Sequence, residues 1–202
     1  MKLMVTLFLG ILATSTAAAT IDPGPDVLGI YFDSSADNNC LATNAGTAFY
    51  AYVILTNPSV PVITAFEFDY ENELGPTEDA SQFLLLGQTL PPQSINVGSG
   101  GDAYAGNFIV GIGTPVPASS ATILVTWQYM TMSPIAMKMF LRASTPSSVS
   151  EGLPAIIGSG GGAPMPVNLS TGGPDIPVAG LNGACSNEQL DVTWGTVKSL
   201  YH

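Results

Sequence analysis

Residues 47–71 read TAFYAYVILTNPSVPVITAFEFDYE: two runs of β-formers on either side of the turn Asn57-Pro58-Ser59-Val60-Pro61. In the second run Phe66, Phe68 and Tyr70 alternate with Glu67, Asp69 and Glu71. Side chains two apart along a strand share a face, so this period predicts a strand with an aromatic core face and an acidic solvent face. The first run puts Phe49, Ala51, Val53 and Leu55 on one side and Tyr50, Tyr52 and Ile54 on the other. Apolar residues on both sides predict a central strand, buried on both faces.

The same reading places strands over 27–33, 83–86, 104–112, 121–130 and 135–143. Ile123, Val125, Trp127 and Tyr129 share one face. Ile135, Met137, Met139 and Leu141 share another, opposite Lys138, Phe140 and Arg142. Shorter strands fit 153–157, 165–169 and 177–182. Pro and Gly punctuate the intervals, and no long helical period runs through the body. Some seven to nine short strands of this kind predict an all-β, antiparallel β-sandwich. The glycine runs at 98–101 and 158–162 lead into no Gly-Lys-Ser/Thr, so they read as flexible surface loops rather than phosphate loops.

The strand pattern of 47–70, 104–112 and 121–143 resembles cohesin-like and bacterial immunoglobulin-like secreted domains. AFEFDYENEL at 65–74 is the part most similar to a cohesin strand, with alternating aromatics before an acidic turn. The resemblance implies a sandwich that binds other proteins. The segment 144–185 departs from the cohesin pattern.

The ends frame this domain. Met1-Lys2, an apolar run over 3–13 and small residues ending in Ala17-Ala18-Ala19 predict a secretory signal peptide over 1–19, cleaved after Ala19. The run is too short to span a bilayer, and no later stretch is long enough. A single domain is expected over 20–189, in a protein that is secreted or displayed at the cell surface, with the periplasm as the alternative. A tail follows over 190–202. Its Trp194, Val197, Leu200 and Tyr201 would form one stripe on a short helix, either docked on the sandwich or used as a recognition peptide. Cys40 and Cys185 are the only cysteines and, in an exported chain, are expected to form a disulfide.

Composition narrows the function. Four basic residues face fifteen acidic ones, for a net charge of −11, and only 9% of residues are charged. Such a chain is unsuited to nucleic acid or anionic lipid, which need clustered Lys and Arg. His202 is the only histidine and stands at the terminus, where it cannot hold a catalytic base in register or complete a zinc site. Glu67, Asp69 and Glu71 are the one set of paired carboxylates, but acids on a solvent face are commonplace. No catalytic residue is assigned. Oxygen donors at Asp33 and Asp37, and at Glu71 and Glu73, would suit calcium, without the order of an EF-hand. The competing reading is turn chemistry, in which Asp and Asn bond nearby backbone. Tyr50, Tyr52, Trp127 and Tyr129 would stack on sugars if exposed, although aromatics in sandwiches are more often core. The expected function is a non-catalytic surface, adhesive or assembly domain binding an extracellular protein. The alternatives are a carbohydrate-binding module and, third, a calcium-stabilised structural domain.

Overall fold

The structure, a computed structural model, describes residues 24–184. The expected signal peptide, Cys185 and the tail lie outside the described residues. Fourteen strands are described: β1 Val27–Tyr31, β2 Cys40–Leu41, β3 Thr47–Thr56, β4 Val62–Leu74, β5 Phe83–Thr89, β6 Ser94–Asn96, β7 Gly100–Gly101, β8 Ala105–Pro117, β9 Ala121–Thr131, β10 Met137–Arg142, β11 Ala155–Ile157, β12 Met165–Pro166, β13 Asn168–Leu169 and β14 Ala179–Leu181. A 3-10 turn, Ala80–Gln82, precedes β5 and is capped by the Asp79 carboxylate.

The strands form two sheets. The first has five strands in the order β13-β1-β3-β9-β5. The second has nine: β12-β11-β4-β10-β14-β2 form one path, β8 lies along the other edge of β4, and β6 and β7 pair with β8. Pairing is antiparallel throughout except for β1 with β13 and β14 with β2. The fold is the expected all-β sandwich, with more strands than the sequence pattern showed. The additional ones, β2, β6 and β7, have two or three residues each, too few for a period to emerge, and the expected strand over 165–169 is divided at Val167 into β12 in the second sheet and β13 in the first.

One core fills the space between the sheets. Phe66, Phe68 and Tyr70 enter it from β4, Phe108 from β8, Trp127 and Tyr129 from β9, and Met137, Met139 and Leu141 from β10. The aromatic rings form a chain, with centroids 4.9 Å apart for Phe68–Phe108, 4.7 Å for Tyr70–Trp127 and 4.7 Å for Phe83–Tyr129. The Trp127 indole N–H donates to Gln88 Oε1 at 3.1 Å, so the largest buried ring keeps its one polar group paired.

Three expectations need correction. A bulge at Leu124 of β9, opposite Val53 and Ile54 of β3, shifts the register, pairing Val53 with Val125 but Ile54 with Ile123. A one-residue shift moves side chains to the opposite face. Leu124 therefore joins the main core, while Ile123 packs on the outside with Tyr31 and Ile54. β3 is the central strand of its sheet, yet its outer face is buried only towards its end, at Ile54 and Thr56; Tyr52 is half-buried and Tyr50 is 48% exposed. The first glycine run is not a loose loop, because Gly100 and Gly101 pair with Asn107 and Gly106 as β7.

Candidate functional site

The outer face of the second sheet carries a row of acidic side chains and, beside it, exposed apolar ones. Along β4, Glu67, Asp69 and Glu71 lie opposite the core-facing Phe66, Phe68 and Tyr70, as the alternation predicted, and Glu73 continues the row. Cross-strand pairing fixes their neighbours. Asp69 lies between Asn107 and Arg142, Glu71 between Ala105 and Phe140, and Glu73 beside Lys138. Farther along, Glu67 lies between Ile109 and Ala155. The face thus has an acidic half and an apolar half, in sequence along one strand.

The acidic half is a cavity of about 550 Å³ lined by Asp69, Glu71, Asp102, Asn107, Arg142 and the arm 99–101. Arg142 donates through Nη1 to Glu71 Oε2 and lies over the Phe140 ring, 5.4 Å from its centroid. Thr145 donates through Oγ1 to Asp69 Oδ2 at 3.3 Å. The other carboxylate oxygen, Asp69 Oδ1, is buried without a hydrogen-bond partner, and so is Asn107 Oδ1 directly across the strand pair. Burial pushes the Asp69 carboxyl above its usual range, against the opposing pull of the Thr145 hydrogen bond and the Arg142 charge. Glycine builds the wall. A Cβ on Gly106 would lie 2.5 Å from the Gly100 carbonyl oxygen, so the arm can approach β8 only where side chains are absent.

The apolar half is a cleft of about 400 Å³ floored by Ala65, Ile109, Ala155 and Ile157, with Ile95 and Val97 at its rim. Ile95 is 69% exposed and Val97 74%. Glu67 belongs to this half and is not the solvent-facing acid that the alternation suggested; it is only 6% exposed. The segment between β10 and β11 crosses over it. Ser148 donates its backbone N–H to Glu67 Oε1 and its hydroxyl to Oε2, both at 2.7 Å.

The residues nominated from sequence are scattered. Asp33 Oδ1 accepts from the Ser35 N–H, the Ser35 hydroxyl and the Asp37 N–H at 3.0, 2.9 and 3.0 Å, which is turn chemistry. Glu71 is paired with Arg142, and Glu73 lies in register with Lys138. Among the described residues, no group of three or more His, Cys, Asp or Glu is placed to hold a metal ion. Of the four candidate sugar-stacking aromatics, Trp127 and Tyr129 are fully buried and have no surface to offer. Tyr50 and Tyr52 stay together on the outer face of the first sheet. Cys40 lies on β2 opposite Gly180. The sequence reading missed Ile95, Val97, Asp102 and Asn107. The one available clue was Ile95-Asn96-Val97, an apolar-polar-apolar triplet inside an apparent loop.

No family model matches the chain, and no curated protein sequence matches it. Solved structures do. The chain is similar to cohesin modules. The sixth cohesin of Acetivibrio cellulolyticus scaffoldin B, solved in complex with a Cel5 dockerin mutant, is 10% identical, with 77% of this chain and 96% of that one covered and a TM-score of 0.48. CaCohA2 of Clostridium acetobutylicum is 11% identical over 82% of this chain and 95% of its own, with a TM-score of 0.45. The second type II cohesin module of the A. cellulolyticus adaptor scaffoldin ScaA is 12% identical over 71% and 85%, with a TM-score of 0.46. The likeness is one of strand arrangement. Among the described residues, no helix is long and apolar enough to cross a membrane.

Proposed function

We propose that the chain is an exported, non-catalytic binding module that docks a partner protein on the outer face of its second sheet. The observation that carries this reading is the pair Ile95 and Val97, two large aliphatic side chains held in water above an apolar cleft. Exposed apolar surface rimmed by polar groups is the composition of an interface core with its rim. The adjoining cavity has three carboxylates, Asp69, Glu71 and Asp102, against the single cation Arg142. That balance favours a partner carrying Lys or Arg next to its apolar anchor. The cleft centres near Phe66 and the cavity near Tyr70, so the strand rise puts the two about 13 Å apart. The partner's anchor and cation should have a matching separation.

The test is capture from the host's culture fluid with the wild-type module and with Ile95→Asp, both checked for unchanged melting. A protein retained by the wild type and lost with Ile95→Asp supports the reading. Equal retention by the two would overturn it.

Export and disulfide closure complete the proposal. Secreted material should begin at Thr20, and N-terminal sequencing would show it; material retaining Met1 would refute cleavage. β14 runs alongside Cys40 and ends four residues before Cys185, a distance the chain spans easily. Non-reducing peptide mapping should yield one Cys40–Cys185 pair, and two alkylatable thiols would exclude it.

A further inference from the structure

We infer that the outer face of the first sheet, around Tyr50 and Tyr52, is a second binding surface that takes a neutral polysaccharide. The strands β3, β5 and β9 together contain no Asp, Glu, Lys or Arg, in a chain with fifteen acids. Three adjacent strands free of charge leave a neutral window on an anionic protein. An anionic glycan would be repelled by the rest of the surface, whereas a neutral one is not.

The window has a defined layout. Tyr50 lies opposite Gln128, and Gln128 opposite Gly87; Tyr52 lies opposite Thr126, and Thr126 opposite Thr89. The two tyrosine rings are within 25° of parallel, with centroids 6.2 Å apart. A Cβ at Gly87 would meet nothing nearer than Gln128 Oε1 at 4.0 Å, so open space lies beside the Gln128 amide. The face therefore pairs aromatic rings with uncharged amide and hydroxyl groups. Sugars have this duality, because the C–H faces of a pyranose ring are apolar and pack on aromatics, while its rim of hydroxyls both donates and accepts hydrogen bonds. Leu84, in register with Met130 at one end of the window, is exposed and extends its apolar surface. This site is separate from the protein-docking face and stands or falls independently of it.

The experiment is native affinity electrophoresis of the exported chain in gels containing hydroxyethylcellulose, arabinoxylan or galactomannan, with polygalacturonate as the anionic control. Sedimentation with insoluble cellulose and chitin runs in parallel. The expected result is retention by at least one neutral glycan, unchanged by added salt, and weakened tenfold or more by Tyr50→Ala. Gln128→Ala is the second variant; it should also weaken retention without altering the melting temperature. Ile95→Asp should bind glycan like the wild type. Retention by none of the glycans, or unchanged retention in both folded variants, overturns the proposal. So does self-association abolished by Tyr50→Ala without glycan retention, which would assign the face to a second copy of the chain.

Discussion

Replacing Glu67 by alanine measures how much of this fold depends on a buried acid. The carboxylate is almost fully covered and accepts two hydrogen bonds of 2.7 Å from Ser148. A hydrogen bond to a charged group contributes about 1.5–3 kcal/mol, and removing the acceptor also leaves the Ser148 N–H to be satisfied by water. The two bonds share one carboxylate and one donor residue, so their contributions do not add. We expect Glu67→Ala to cost about 2–4 kcal/mol, with Glu67→Gln intermediate because one acceptor oxygen survives. Glu73→Ala, on the same strand face but exposed, should stay within about 0.5 kcal/mol. Urea denaturation followed by circular dichroism reads all three, with an unchanged slope confirming that the native state is intact. In a double-mutant cycle, Glu67 and Ser148 should couple by about 1 kcal/mol or more. Should Glu67→Ala fall within about 0.5 kcal/mol of wild type, the segment over β4 would not be anchored as described.

Other substitutions probe separate parts of the argument. Phe68→Ala removes a fully buried ring stacked on Phe108 and should cost about 3–5 kcal/mol by the same denaturation assay. Asp69 titrates above its unfolded value, so across that window the folded state binds more protons than the unfolded one, and this group's contribution to stability falls as pH rises. The stability of Asp69→Asn, relative to wild type, should therefore improve from acid towards neutral pH; an unchanged difference would show that the carboxyl is not desolvated. Gly106→Ala forces a Cβ against the Gly100 carbonyl and should detach the arm at 99–101, seen as lost amide protection of β7 in hydrogen exchange.

The alternation along β4 was legible because a strand's two-residue period is a local property of the backbone, and apolar residues follow it wherever one face is buried. It correctly sent Phe66, Phe68 and Tyr70 inward and, with the turn residues between runs, identified an all-β sandwich. The same local signal was blind to whatever arrives from elsewhere in the chain. Glu67 is buried by Ser148, 81 residues away, a cover no pattern within 62–74 encodes. The bulge in β9 opposite β3 exchanged Ile123 for Leu124 in the core because register depends on the partner strand. Tyr50, Tyr52, Trp127 and Tyr129 are equally aromatic and equally alternating in sequence. Only the stacking of one sheet on the other decided which pair was sealed in the core and which was left facing water.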